Sequence, residues 1–142
     1  MKSYFPDINV WVALAYQGHQ HYSIAADWFN ALRDTAGFCR VTQIGFLRLL
    51  THPVIMGDET KTQKEAWRAY DQLCADPRID FYLEPEPKDL EKAFRSLTAS
   101  SRSSAQQWSD AYLVAFARVA GLTLVTLDRA LSKLSDDVLL LR

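Results

Sequence analysis

The chain has 142 residues, of which 49% are hydrophobic and 23% are charged, a balance that excludes an intrinsically disordered protein and allows a folded core. No apolar run approaches the ~20 residues that a transmembrane helix needs, so no membrane partner is expected. The net charge of −1 excludes the strongly basic composition by which many nucleic-acid-binding domains hold their ligand.

The length and the two cysteines predict one domain in a reducing compartment. At this size a single domain spanning residues 1–142 is expected. The first residues lack the long apolar stretch of a secretory signal peptide. Cys39 and Cys74 lie among apolar residues without a CxxC spacing, so both are expected to be reduced. The expected location is therefore the cytoplasm.

Short strand-forming segments alternate along the chain with longer segments that carry apolar residues at helical spacing. In chain order they predict strand 2–6, helix 9–16, helix 24–32, strand 37–41, helix 43–50, helix 60–74, strand 79–83, helix 88–97, helix 109–120, strand 122–126, helix 129–134 and strand 138–141. Ser23 and Thr42 are the expected N-caps of the helices that follow them. This alternation predicts a mostly parallel sheet covered on both faces, so the fold class is α/β, a three-layer α/β/α sandwich.

Three aspartates are predicted to meet at one edge of this sheet. In an open α/β sheet the functional crevice lies at the carboxyl ends of the strands. Asp7 follows the first strand directly, and Asp128 follows the strand 122–126 by two residues. Asp110 lies in the first turn of a helix that leads into that strand, so the start of this helix faces the same edge.

Such a group of acids predicts a site for a divalent cation. Neighbouring carboxylates repel one another, and a bound cation supplies the compensating charge. Oxygen ligands without nearby cysteine or histidine favour Mg²⁺ or Mn²⁺ over zinc. A site of this kind activates water for attack on a phosphodiester. Each acid taken alone could simply stabilise a helix N-terminus, and only their shared edge favours a functional role.

The residues around these acids resemble a known family. Segment 7–14, DINVWVAL, resembles the first motif of PIN domains. Segment 109–115, SDAYLVA, resembles their third-acid helix, and segment 125–129, VTLDR, resembles their last acidic motif. Segment 42–53, TQIGFLRLLTHP, is similar to a subgroup of VapC-like toxins of bacterial toxin–antitoxin systems. The resemblance extends over nearly the whole chain.

This resemblance implies a toxin ribonuclease that cleaves RNA with Mg²⁺, for which Mn²⁺ substitutes. It also implies a cognate antitoxin that holds the enzyme inactive, and a homodimer. Carried over by position, Asp7 and Asp110 would be the principal metal ligands and catalytic residues. Asp128 would complete the acidic group, directly or through water. Asn9 and Thr126 would orient the carboxylates.

One residue departs from the pattern that the resemblance implies. Many PIN domains have a glutamate where this chain has Gln43, and a carboxamide supplies no negative charge. The departure argues against a strict two-metal mechanism and favours one tightly bound Mg²⁺. If Gln43 lies in the site, Gln43→Glu should tighten Mn²⁺ binding. An alternative function follows from the same residue, a PIN-like module that binds RNA or protein but has lost turnover.

Basic and aromatic residues near the acids are candidates for contacts with RNA. Arg48 and Arg129 are expected to contact phosphate, because the guanidinium group pairs well with phosphate oxygens. Trp108, close to Asp110, is the tryptophan expected to touch RNA or a partner, whereas the other three are expected to be buried. A phosphoacceptor receiver domain is set aside, because it needs an acidic pair near the first strand and a lysine near the last.

Overall fold

A computed structural model describes residues 2–100, 102–105 and 107–142 of the chain. Its centre is a parallel sheet of five strands, which are β1 (Ser3–Pro6), β2 (Thr35–Phe38), β3 (Ile79–Phe81), β4 (Thr123–Thr126) and β5 (Val138–Leu140). The strands lie in the order β3-β2-β1-β4-β5, and every neighbouring pair is parallel. The predicted α/β class is therefore confirmed.

Helices connect the strands and cover the sheet. They are α1 (Ile8–Ala15), α2 (Tyr22–Ala31), α3 (Arg40–Leu50), α4 (Pro53–Met56), α5 (Gln63–Cys74), α6 (Pro87–Leu97), α7 (Trp108–Ala120) and α8 (Arg129–Ser132). A short 3₁₀ turn, Gly57–Glu59, follows α4. Within the described residues, no helix is long and apolar enough to cross a membrane.

Two hydrophobic cores lie on opposite faces of the sheet, as the predicted three layers require. On one face, Phe5 of β1 stacks on Phe116 of α7, with ring centroids 4.9 Å apart. On the other face, Trp11 of α1 stacks on Phe38 of β2 at 4.0 Å. Tyr4, the neighbour of Phe5 in β1, packs against this second core, because successive side chains of a strand point to opposite faces.

The predicted start of the third helix is wrong by three residues. Strand β2 ends at Phe38, and α3 already begins at Arg40 with Cys39 as its N-cap. Thr42 is the third residue of the helix, where its hydroxyl accepts a hydrogen bond from the Cys39 N–H at 2.9 Å. Thr42 therefore contributes the reciprocal half of a capping box instead of the N-cap.

Two further local predictions also differ from the structure. Helix α2 begins at Tyr22 with His21 at the N-cap position, so Ser23 lies inside the helix. Helix α4 was not predicted. Pro53 is its first residue, a position at which a missing N–H costs nothing, and the His52 side chain caps it by accepting a hydrogen bond from the Val54 N–H.

The order of the strands determines where a site can form. From β1 the chain runs outward through β2 to β3, and it then returns to the other side of β1 to form β4 and β5. The connections therefore diverge between β1 and β4, which leaves a crevice at their carboxyl ends. Helix α7 runs into β4, so the first turn of α7 lies at the same edge.

Candidate active site

Asp7 is anchored where β1 ends and α1 begins. Its backbone N–H donates to the carbonyl of Val125 in β4 at 2.9 Å. Its side chain is the N-cap of α1, with Oδ1 accepting from the Val10 N–H at 3.1 Å. The other carboxylate oxygen, Oδ2, accepts a hydrogen bond from the Thr126 hydroxyl. Asp7 is only 6% exposed, so backbone and side-chain contacts fix this acid in one orientation.

Thr126 links the ends of β1 and β4. Its side chain is fully buried. The hydroxyl donates to Asp7 and accepts from the backbone N–H of Asp128 at 3.0 Å. Both hydrogen-bonding functions of this hydroxyl are therefore used to connect two of the three predicted acids.

Asp110 reaches the same place from helix α7, of which it is the third residue. It is half-buried and lines a cleft of about 200 Å³ together with Asp7. We call this the acid cleft. Its lining includes Asp7, Asn9, Gly45, Arg48, Ser109 and Asp110. The structure thus brings together two acids that are 103 positions apart in the sequence, at 7 and 110.

Asp128 lies farther out than the other two acids. It is exposed, and its Oδ1 caps α8 by accepting from the Ala130 N–H at 2.8 Å. Its charge still reaches the cleft, since it raises the pKa of both Asp7 and Asp110. Asp128 therefore combines a local capping role with an electrostatic effect on the other two acids.

Burial makes the acid cleft unfavourable for negative charge. Burial raises the pKa of Asp7 from 3.8 to about 6, and the charges of Asp110 and Asp128 add to this, although hydrogen bonds from Thr126 and Val10 oppose it. The pKa of Asp110 is also raised, first by burial and then by the charge of Asp128. A cation in this cleft would relieve both effects.

The donors of the cleft fit a hard cation, although they do not form a closed cage. Asp7 and Asp110 offer carboxylate oxygens, the ligand type that Mg²⁺ prefers. In the part of the chain that the structure describes, no three His, Cys, Asp or Glu side chains are grouped closely enough to hold one ion together. Asp7 and Asp110 are therefore the candidates for direct contact, and Asp128 for an effect at longer range.

The structure brings some of the other predicted site residues to the cleft and leaves others outside. Asn9 and Arg48 both line it. Arg129 is exposed at the first position of α8, next to Asp128, and does not line the cleft. Of these two arginines, Arg48 is therefore the one that could contact a phosphate bound beside Asp7 and Asp110.

Gln43 is not in the site, which corrects the interpretation drawn from the resemblance. Its side chain is buried outside the acid cleft, and Oε1 accepts a hydrogen bond from Nη1 of Arg40 at 2.6 Å. The α3 residues that face the cleft are Gly45, Arg48 and Leu49. Gln43 is therefore no reason to expect a weaker second cation site or a loss of turnover.

We expect Gln43→Glu to leave the affinity for Mn²⁺ within about twofold of the parent value, because the new carboxylate would pair with Arg40, outside the acid cleft. Isothermal titration calorimetry measures this directly, with Asp110→Asn as a comparison that should weaken binding by at least tenfold. A clear gain in affinity for Gln43→Glu would return this residue to the site.

Sequence reasoning missed Gly45 and Ser109, both of which line the acid cleft. Gly45 lies three residues before Arg48, so helical spacing from Arg48 would have placed it on the same face. A Cβ atom at Gly45 would collide with the side chain of Ile8, so the glycine allows α3 to approach α1 next to Asp7. The residue type gave no chemical reason to select it.

The parallel sheet, with acids after β1, after β4 and in the helix that precedes β4, is the arrangement that the motifs predicted for a PIN domain. The PIN domain family matches residues 4–137 of the chain. The chain belongs to the PIN domain family, and the family resemblance predicted from its motifs is confirmed.

Sequence relatives assign the chain to a group within the PIN domain family. It is 37% identical over 132 residues to Ribonuclease VapC41 of Mycobacterium tuberculosis, an alignment that covers 89% of this chain and 90% of the relative. It is 30% identical over 140 residues to Ribonuclease VapC38 of the same organism, covering 92% and 89% of the two chains. Within the family, the chain therefore belongs with the VapC ribonucleases.

Solved structures with the same fold include two from VapC systems. VapC20 of M. tuberculosis, a Sarcin-Ricin loop cleaving toxin, superposes with a TM-score of 0.65 at 16% identity, covering 91% of this chain and 92% of the other. VapBC2 from Rickettsia felis, bound to a DNA fragment from their promoter, gives a TM-score of 0.66 at 11% identity, covering 97% and 96%. At these identities the likeness concerns the fold.

Proposed function

We propose that this chain is a Mg²⁺-dependent ribonuclease and the toxin of a toxin–antitoxin pair, hydrolysing RNA phosphodiester bonds in the acid cleft. Mn²⁺ is the expected substitute for Mg²⁺. The observation that carries the proposal is the pairing of Asp7 and Asp110 in one cleft between β1 and β4, with the pKa of both raised. Two carboxylates in such surroundings are a strong candidate for a functional site.

In this proposal each acid has a separate task. Asp7 and Asp110 hold the ion, and Asp128 adds negative charge from the rim of the cleft. A bound Mg²⁺ would activate water and stabilise charge on the phosphate and the leaving oxygen. Thr126 keeps Asp7 in a fixed orientation, because its hydroxyl donates to one carboxylate oxygen while the other is held by the Val10 N–H.

The same cleft offers partners for the RNA backbone. Arg48 lines it and supplies a guanidinium group, which matches the geometry of phosphate oxygens. The N-terminus of α7, with Ser109 and Asp110, lies at the cleft, and helix N-termini favour anions. Local contacts of this kind suit a chain whose net charge is −1. Arg129, next to Asp128, would extend the contact along the RNA strand.

A cognate antitoxin is the expected protein partner, as in the VapBC2 complex of R. felis. An inhibitory side chain with a guanidinium group would suit the acid cleft, because it can replace the charge of the cation. A homodimer is also proposed from the family resemblance, and a cytoplasmic location from the two cysteines that are expected to be reduced. Light scattering on the purified chain measures the first of them.

The test is RNA cleavage by the purified protein with Mg²⁺, with Mn²⁺ and with excess EDTA. We expect cleavage to need the divalent ion, to fall at least 100-fold in Asp110→Asn, and to fall by about tenfold in Asp128→Asn, because Asp128 acts from the rim. Asp136→Asn is the matched control, since Asp136 is exposed at the opposite edge of the sheet, before β5. EDTA-resistant cleavage would contradict the proposal.

The same experiment distinguishes the alternative function. A binding module would retain RNA at every concentration of Mg²⁺ or Mn²⁺ without cutting it. That outcome would favour a PIN-like protein in which the acidic group no longer supports turnover. Cleavage that disappears in Asp110→Asn and persists in Asp136→Asn would exclude it.

A further inference from the structure

A second cleft lies at the N-terminus of α7, beside the segment that joins α6 to α7. Its volume is about 360 Å³. We call it the loop cleft. Its lining includes Thr98, Ser100, Arg102, Ser103, Gln107 and Trp108. Hydroxyl, amide and guanidinium groups thus surround a single large aromatic ring.

The Trp108 indole packs against a neighbouring aromatic ring and remains about half exposed. Its ring packs edge-on against Phe94 of α6, with centroids 6.0 Å apart and planes at 72°. Phe94 is held in turn by Tyr112, at 5.9 Å and 90°. Trp108 is nevertheless 54% exposed. An indole that packs against aromatic neighbours and is still half exposed is a suitable platform for a planar ligand.

The loop cleft adjoins the proposed reaction site. Gln107 and Trp108 line the loop cleft, whereas Ser109 and Asp110 line the acid cleft, so the start of α7 contributes residues to both. The Gln107 side chain makes no cap hydrogen bond to the helix. A strand of RNA that crosses this turn would place a phosphate at the helix N-terminus and a base beside the indole.

We propose that the loop cleft is a nucleobase subsite for the nucleotide next to the scissile phosphodiester, with its base stacked on Trp108. The inference rests on the proposed ribonuclease function. Arg102 and the neighbouring serine hydroxyls would hydrogen-bond to the base edge or the ribose. Only an unpaired base can enter such a cleft, so the substrate is single-stranded or looped RNA.

The lining of the loop cleft favours RNA over a protein partner. Apart from Leu97, Ala105 and Trp108, the side chains that line it are polar or charged. The groove between α3 and α5 is different, because Ile44, Leu47, Ala66 and Trp67 make much of its lining apolar. An apolar protein segment would suit the second groove, whereas a base with donors and acceptors on its edge suits the first.

Binding of a 5′-fluorescein-labelled ten-nucleotide oligoadenylate tests the subsite. The measurement uses fluorescence anisotropy with every variant built on Asp7→Asn, so that the probe is not cut. We expect Trp108→Leu to raise Kd about tenfold and Trp108→Tyr to stay within about threefold, because tyrosine still stacks. Arg102→Ala, which leaves the helix intact, should raise Kd about threefold.

Trp67→Leu is the matched control. Trp67 is 48% exposed and packs edge-on against Tyr70 at 5.8 Å and 88°, so its surroundings resemble those of Trp108. It lies on α5 and outside the loop cleft. We expect its replacement to change Kd less than twofold. Thermal melting of each variant checks that all are folded.

Cleavage of a randomised twelve-nucleotide RNA library by the otherwise unmodified chain gives a second readout. Sequencing of the products should show a base preference at one position beside the cut, lost in Trp108→Leu and retained in Trp67→Leu. A KM that rises about tenfold with little change in kcat is the expected kinetic effect. A purely structural role would not change the preference at a single position.

The outcomes separate the subsite from the ribonuclease function. Cleavage with the same Kd and the same base preference in Trp108→Leu as in Trp67→Leu would overturn the subsite while the nuclease stands. Trp108-dependent binding by a chain that cuts no RNA would show that the loop cleft takes a base, but it would refute the nuclease and with it the place of that base beside a scissile bond. If Trp108→Leu weakens only the binding of the antitoxin, the cleft is a protein contact and the inference is wrong.

Discussion

Asp7→Asn is expected to abolish RNA cleavage and, at the same time, to make the metal-free protein more stable at pH 7. Activity should fall by about 10³-fold or more, because the variant loses a carboxylate in direct reach of the proposed cation. Stability should increase because Asp7 is 6% exposed and its pKa is about 6 when folded. Ionising it at neutral pH therefore opposes folding.

The direction of this change in stability follows from the number of protons that the folded and unfolded states bind. The pKa of Asp7 is about 6 in the folded chain and 3.8 in the reference state. The folded state thus binds more protons between these values, and stability falls as pH rises from about 4 to 6. At pH 7 the cost is at most about 3 kcal/mol, at 1.36 kcal/mol for each pKa unit. Asp7→Asn removes part of this free-energy cost, which should raise the melting temperature of the metal-free protein by roughly 5 °C.

Differential scanning calorimetry in EDTA, with RNA cleavage in Mg²⁺ measured in parallel, checks both effects. Asp136→Asn again serves as the control, because the same exchange at an exposed position should change neither quantity. Mg²⁺ should stabilise the parent chain more than Asp7→Asn, since only the parent retains the full binding site. A destabilised Asp7→Asn in EDTA at pH 7 would show that the carboxylate is not held at an energetic cost.

Cation binding is expected to weaken strongly as the pH falls through 6. A proton competes with the ion for Asp7, whose pKa burial raises to about 6. The apparent affinity for Mn²⁺ should therefore be about tenfold lower at pH 5 than at pH 7.5. RNA cleavage at a subsaturating Mg²⁺ concentration should decline over the same range.

Calorimetric titration with Mn²⁺ in two buffers of different ionisation enthalpy measures the protons released. We expect close to one proton for each ion bound at pH 5, about half a proton at pH 6, and almost none at pH 7.5. An affinity that stays constant between pH 5 and 7.5 would mean that Asp7 is ionised before the ion arrives, or that it is not a ligand.

Much of the local structure followed from pattern, and the errors have identifiable physical causes. Strand β4 and helix α7 match their predictions to within one residue, because their hydrophobic pattern and the stop at Gly121 are unambiguous. The start of α3 differs from its prediction, because a cysteine rarely serves as an N-cap, whereas the threonine three residues later is a favoured one.

Burial was harder to predict than secondary structure. Trp11 is fully buried, as expected, and Trp28 is partly buried. Trp67 was also expected in the core, yet it is 48% exposed. Trp67 falls at the helical spacing of the apolar face of α5. How much of that face is buried depends on how broadly α5 contacts the sheet. The breadth of this contact depends on side chains from other elements.

The class of fold, the family and the edge of the sheet at which the acids meet could all be predicted without coordinates. These follow from the order of strands and helices and from short motifs, because parallel strands connected by helices end at one edge of the sheet. That Gly45, and not Gln43, lines the acid cleft with Asp7 is evident only once the helices are packed together. Periodicity identifies residues that share a helix face, but the rotation of each helix against its neighbours depends on packing across the whole core.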